Sequence, residues 1–289
     1  MGIEDRMDQN IREALDDSAP YPSVSAGNLG LNSLETTARY RIGPLRVAEL
    51  WFRIGQPTAC DLVRYFQIAG SPRGVRAVPF TTLCIDIARP TEQIFSSFLS
   101  HTRHKVRWAE TRDDFAYEFV PHPDCRLIAE FIMSYREFCR QKGLPISGLR
   151  RIDALLKQRK LALSVARTAD GKTLVWHSYL ISGNRARLLQ SVSLFRNYAG
   201  SGDRNMMGCA NRWLYWRDMC ALREVGVATY DLGGWYSGYN DQEKLRINAF
   251  KEGFGGTPSV EFSWVVGISV TGRLVAWLLR LHLSMKGVL

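Results

Sequence analysis

The chain has 289 residues, 46% hydrophobic and 23% charged, which excludes a disordered or fibrous protein and suffices for one large domain or two ordinary ones. Its net charge is +10, yet the first twenty residues carry −4, from six acids against Arg6 and Arg12, so the remainder carries +14 and suits anionic partners such as RNA, nucleotide phosphates or a membrane surface. The six cysteines form no CxxC pair and no Cys/His grouping of zinc-ligand spacing, which excludes a zinc module and fits reduced thiols in a cytoplasmic protein.

Residues 1–37 read as a flexible leader, because "SAPYPSVSAGNLGLNS" supplies Pro, Gly and Ser where a packed element would supply periodic apolar residues. No signal-peptide pattern opens the chain. From Ala38 to Arg89 short apolar runs such as "LRVAELWF" and "FTTLCIDI" predict several strands and one or two short helices. A helix capped by Thr91 is predicted through about Arg112, with Ile94, Phe95, Phe98, Leu99, Thr102, Val106 and Ala109 on one arc and Arg103, His104 and Arg107 opposite. The strand "FAYEFV" follows, then a helix from Asp124 to Lys142 closed by Gly143 and Pro145.

Next come three strands, "LALSVART", "TLVWHSYLIS" and "ARLLQSVSLF", joined by "ADGK" and "GN", which have hairpin-turn chemistry. A long helix spans about Asn205 to Val225, with Trp213 and Trp216 on one core-facing side, and Gly226 ends it. The strand "VATYDL" leads to a glycine pair, a helix runs from about Asp241 to Glu252, and "SVEFSWVV" predicts a strand alternating Val260, Phe262, Trp264 and Val266 with polar or smaller residues. Residues 268–289 read as a terminal helix. Arg273 and Arg280 leave six uncharged residues between them, too few to cross a bilayer, so this helix packs on the core or lies along a membrane surface.

A three-stranded meander ahead of a central helix is similar to the GNAT-type acyltransferase fold, a mixed α/β (α+β) architecture. The words "YDLGG" at Tyr230 to Gly234 and "INAFKEGFGG" at Ile247 to Gly256 resemble the signature of FemAB-like acyltransferases, and "LCIDIARPTEQIFSSFLSHTRHKVRWAE" resembles the close of that family's first half. The resemblance covers roughly residues 40–266. It implies two GNAT-like halves, a divergent one over 38–122 and a second over 123–267, and transfer of an acyl or aminoacyl group to an amine of a cell-envelope, lipid or secondary-metabolite precursor. The co-substrate would be an acyl-CoA or another thioester, or aminoacyl-tRNA, with no tightly bound cofactor and no metal. The chain lacks the heptad-rich helical arm of peptidoglycan-bridge enzymes, and its first half is short.

Acyl transfer needs a neutral amine and a donor for the developing oxyanion. Lys251, framed by Phe250 and Phe254, matches the lysine that the family uses for donor binding and transition-state stabilisation; the alternative is a solvated cation at a helix C-terminus. Asp231 either binds the acceptor amine beside Tyr230 or caps turn N–H groups. His177 is either a general base or a satisfied strand residue. In acyl-CoA enzymes of this fold the turn before the central helix cradles pyrophosphate, which here points to Arg196, Gly200, Ser201, Gly202, Arg204 and Asn205, although the usual Gly-x-Gly spacing is absent. Arg103 and Arg107, four apart, would form a fork for substrate phosphates, with Phe250 lining the same groove. Two competing classes are an RNA-binding module that needs only the basic surface, and an inactive scaffold.

Overall fold

A computed structural model describes residues 37–71, 74–111, 115–194 and 201–285, without side chains at 201–204 and 282–285. Four strands come first: β1 (Ala38–Ile42), β2 (Leu45–Trp51), β3 (Leu62–Ile68) and β4 (Val78–Asp86). The expected short helices are not found among the described residues of this stretch. Instead Asp61 gathers the β2–β3 connection: its carboxylate accepts from the Arg46 backbone N–H at 2.9 Å and from the Arg46 guanidinium at 3.0 and 3.1 Å.

The single helix expected from Thr91 to Arg112 is two, α1 (Thr91–Ser96) and α2 (Ser100–Glu110), with Pro90 rather than Thr91 at the N-cap. The break has a tertiary cause. Leu99 is extended and donates its N–H to the carbonyl of Gly253 at 2.9 Å, while Arg103 covers the carbonyls of Ser96 and Phe98. Then come β5 (Phe115–Val120) and α3 (Cys125–Lys142), which Asp124 caps by accepting from Leu127 N–H at 2.8 Å and Gly143 ends at φ 65°. The sequence reading missed α4 (Leu149–Lys157), which starts at Gly148 with no capping side chain; its signal is the buried spacing of Leu149, Ile152 and Leu155.

The meander is β6 (Leu161–Thr168), β7 (Thr173–Ser182) and β8 (Arg185–Ser193), and the central helix is α5 (Ser201–Glu224). After β9 (Thr229–Gly234) and α6 (Gln242–Glu252) come β10 (Thr257–Gly267) and α7 (Val270–Met285). The strand order is β1-β2-β3-β10-β4-β9-β8-β7-β6-β5, parallel only at β2–β3 and β8–β9. Strands from both sides of residue 122 therefore interleave: β10 lies between β3 and β4, β4 lies between β10 and β9, and β5 forms the edge beside β6. The alternation expected in β10 is also corrected. Val260 is exposed and Glu261 is buried, because a register shift between Phe262 and Trp264 turns the outer half of the strand over.

Helices cover both faces of the C-terminal strands, so β6 and β7 are buried on both sides and lack a polar stripe. Phe131, Ile152 and Leu155 pack against Trp176 and Leu163 on one face. On the other, Phe98, Tyr215, Met219 and Phe254 pack against Tyr179 and Tyr230. The GFGG word explains how the first half docks. Phe254 meets Phe98 edge to face at 5.3 Å, and a Cβ at Gly253 would come within 2.5 Å of Thr102 Oγ1. Gly256 has φ +96° and lies so close to β4 that a Cβ would meet the Cys84 carbonyl oxygen at 2.7 Å. Gly256→Ala combines both penalties, so urea denaturation should show a loss of at least ~2 kcal/mol.

Candidate active site

β8 and β9 run side by side for only three pairs, Arg185 with Thr229, Ala186 with Tyr230 and Arg187 with Asp231. Beyond Arg187, β8 follows β7 and β9 follows β4, so the sheet opens into a wedge. At its mouth β8 carries a bulge: Gln190 pairs with Ser178 and Leu188 with Tyr179, leaving Leu189 extra. Bulges of this kind re-aim side chains and recur beside active sites.

An ion cluster closes the apex. Asp231, fully buried, accepts from Arg185 at 2.6 and 3.1 Å, from Gln67 at 2.9 Å, from the Gly233 N–H at 2.8 Å and from Thr82. Arg185 also holds Glu261 at 2.6 Å, and Arg187 lies 3.5 Å from Asp231 while donating to Gln67 at 2.8 Å. Gln67 itself has φ 52°, a backbone cost carried where its amide joins Asp231 to Glu261. Burial alone would raise the Asp231 pKa, but Arg187 and Arg185 outweigh it and hold the carboxyl below its ordinary value. Asp231 is thus consumed by the fold's own cations. Gly233 serves the same cluster, since with φ +79° a Cβ there would strike the Arg187 guanidinium at 2.2 Å. The glycine pair lies inside β9 rather than in a turn after it.

Lys251, on the last turn of α6, reaches back to β9 and donates from Nζ to the Gly234 carbonyl at 2.5 Å. Burial, and next the charge of Arg187, bring its pKa down to about 8. Around it, Asn248 fixes the entry to α6 by accepting from Tyr236 N–H at 2.9 Å and donating to Tyr236 O at 2.7 Å. Phe250 is half-buried between Tyr215, at 5.5 Å, and the Arg212 guanidinium, at 4.7 Å. Lys251 is therefore aimed by its frame while remaining partly exposed at the C-terminal turn of α6.

His177 and Tyr230 belong to a different, sealed cluster beneath α5. Asp218 accepts from His177 Nδ1 at 2.7 Å, Tyr179 at 2.6 Å, Ser164 at 2.9 Å and Tyr117 at 3.0 Å, and Tyr230 meets Tyr179 at 2.7 Å. Both His177 and Tyr230 are fully buried, and burial with the Asp218 charge raises the phenol pKa of Tyr230 and Tyr179. The histidine's other nitrogen lies 3.3 Å from Asn211 Oδ1. The predicted fork of Arg103 and Arg107 is not formed: Arg103 is spent on helix-end carbonyls, and Arg107 stacks over Phe95 at 5.4 Å. Arg196 and Gly200 lie outside the described residues. Ser201, Gly202 and Arg204 are described as backbone in the first turn of α5, next to an exposed Asn205.

A cavity of about 630 Å³ that the sequence did not announce lies between the halves on the α3–α4 side, lined by the bulge residues Leu189 and Gln190, by Gly148, Arg150 and Arg151 at the start of α4, and by Tyr40 and Arg64. Behind it Glu49, buried, accepts from Arg151 at 2.7 and 2.9 Å and from Tyr40 at 2.6 Å, and lies 3.5 Å from Arg64. Burial pushes the Glu49 pKa up, and Arg151 pushes it further down. Three arginines against one carboxylate leave the wall positive. The sequence signals for these residues were faint: Arg185 and Arg187 alternate with Ala186 and Leu188 at the start of β8, and "LRR" opens a helix where the dipole disfavours cations.

No family model and no curated protein matches this sequence. Among solved structures the chain is similar to FemX, at 12% identity over 83% of this chain and 85% of that one, with a TM-score of 0.57. It is also similar to the C-terminal domain (DUF2156) of a putative lysylphosphatidylglycerol synthetase from Agrobacterium fabrum, at 16% identity over 82% of each chain with a TM-score of 0.49. L-PGS from Bacillus licheniformis aligns at 12% identity over 83% of this chain and 84% of that one, again with a TM-score of 0.49. The likeness to FemX, at this identity, is one of fold alone.

The depressed Lys251 pKa has a measurable stability signature. The native state binds fewer protons than the unfolded chain between about 8 and the ordinary 10.5, so unfolding free energy rises with pH across that window, and the burial penalty is fully present below it. Lys251→Met should remove this rise, leaving a flatter profile from pH 8 to 10.5 in denaturant titrations.

Proposed function

We propose that this chain is an N-acyltransferase that moves an acyl or aminoacyl group from an activated donor, an acyl-CoA or other thioester or an aminoacyl-tRNA, onto an amine. The observation that carries the reading is Lys251, its pKa near 8, anchored to the end of β9 where β8 and β9 part. In this reading the neutral acceptor nitrogen attacks the donor carbonyl carbon, the bond from that carbon to the thioester sulfur or ester oxygen of the donor breaks, and the proton shed by the nitrogen ends on the departing thiolate or alkoxide, which leaves as the free thiol or hydroxyl. Lys251, still mostly protonated at pH 7, donates to the oxyanion as it forms. Arg187 supports it electrostatically, and Asp231 acts as a positioning residue that holds Arg187 and Arg185.

The positive cavity beside the bulge is the natural seat for the acceptor. Its surplus charge and the uncapped start of α4 suit an amine that also bears a carboxylate or phosphate, as many envelope, lipid and secondary-metabolite precursors do. Activated thioesters and charged tRNA are cytoplasmic, and six free cysteines fit that compartment.

Lys251→Met should lower turnover by at least ~100-fold, the scale for losing one oxyanion donor, while leaving donor-induced stabilisation intact. Because the working form is the cation, turnover in the wild type should fall as pH rises through about 8, and Lys251→Arg should abolish that alkaline limb. Unchanged turnover in Lys251→Met would remove the lysine from the reaction. Arg150→Glu should raise KM for an acidic amine at least ~10-fold with little change in kcat. Stabilisation by tRNA with no transfer from charged tRNA or any thioester would favour the RNA-binding alternative.

A further inference from the structure

The terminal helix α7 is amphipathic in the reverse sense. Its packed side is narrow: Gly272 sits so close to Asp61 that a Cβ would collide with the Asp61 carbonyl, Ala276 is buried, and Arg280 donates to the Val265 carbonyl at 2.9 Å. The opposite side carries Val270, Leu274, Trp277, Leu278 and Leu281, spaced so that they form one stripe along the helix. Each is between 45% and 82% exposed. A soluble surface rarely aligns so many large apolar residues without using them.

The charges decide what covers the stripe. Arg273 and Arg280 flank it and the helix contains no acid, in a chain whose body beyond the first twenty residues carries +14. Tryptophan among leucines beside arginines is the composition of a helix lying in the plane of a membrane interface, its apolar side at the level of the acyl chains and its cations among anionic headgroups. Among the described residues no helix is long and apolar enough to cross a membrane, so the contact would be peripheral. α7 also packs on the same face of β3 and β10 as the positive cavity: Leu62, Tyr40 and Val265 lie under or beside α7, and Tyr40 and Arg64 line the cavity. We propose that α7 docks the protein on an anionic membrane surface, with the Val270–Leu281 stripe immersed in the interface. This surface stands apart from the acyl-transfer reading, since neither Lys251 nor the wedge contributes to it.

The test is co-sedimentation of the full chain with large unilamellar vesicles of phosphatidylglycerol and phosphatidylcholine, or of phosphatidylcholine alone, with gel filtration in parallel. The wild type should sediment with the anionic vesicles, weakly with the neutral ones, and less as salt rises. Leu274→Glu with Leu278→Glu should lower the bound fraction at least ~10-fold, and the milder Trp277→Ser at least ~3-fold should the double variant fail to fold. Lys251→Met should bind like the wild type, which separates this inference from the catalytic one. Failure to sediment, equal binding to both vesicles, or a dimer that the substitutions convert to monomer would overturn it, the last by showing that a second copy covers the stripe.

Discussion

The strands from the two ends of the chain meet at one buried ion cluster, and their interleaving depends on it. Arg185 and Arg187 from β8, Asp231 from β9 and Glu261 from β10 balance two positive against two negative charges, with Gln67 of β3 and Thr82 of β4 completing the bonds. Five strands from both ends of the chain must arrive in register before any of these charges is paired. Removing one partner of such a cluster leaves an uncompensated buried charge, typically a cost of ~3–5 kcal/mol, whereas the intact cluster adds little net stability over an apolar core. Its value here is positional: it holds β10 between β3 and β4, and it fixes where β8 and β9 part.

That position sets the electrostatics of the site. Arg187 lies mostly buried at the apex, its own pKa lowered by burial and by Arg185, and its charge reaches Lys251 and lowers the lysine's pKa further. Tight pairing with Asp231 alone would have quenched this influence, but Asp231 is shared with Arg185 and lies 3.5 Å from Arg187. The packing of Gly233 against the Arg187 guanidinium completes the arrangement, because a side chain there would displace the cation. The YDLGG and FKEGFGG words are therefore two parts of one device, the first making room for Arg187 and the second seating α1 and α2 on the end of α6.

Much of this was legible locally. The hairpin turns at Ala169–Lys172 and Gly183–Asn184, the ends of α3 at Asp124 and Gly143, and the central helix follow from short-range chemistry, so the order of the meander and the central helix could be read directly. What could not be read depends on distant contacts. The break at Ser97–Leu99 exists because Gly253 accepts the Leu99 N–H, and α4 escaped notice because Gly148 caps without a side chain. Lys251 stood out within a word, whereas Arg187 and Gln67 acquire meaning from partners about forty to two hundred residues away in sequence, and Glu49 from Arg151, about a hundred residues on. The inverted burial of Val260 and Glu261 was hidden for the same reason: the partner of Glu261 is Arg185, and no alternation rule anticipates it.

Two buried polar clusters sit in the sheet, one built on Asp231 and one on Asp218. The Asp218 cluster, with His177, Tyr179, Tyr230, Ser164 and Tyr117, is enclosed between the sheet and α5, and each of its phenols is held protonated by burial. Asp218 on α5 binds Ser164 of β6 and both His177 and Tyr179 of β7, so this network locks the two strands to the central helix. In the proposed acyl transfer, an amine that arrives neutral would need no base from this network. The transfer proposed for this chain would then rest on orientation and on the Lys251 cation.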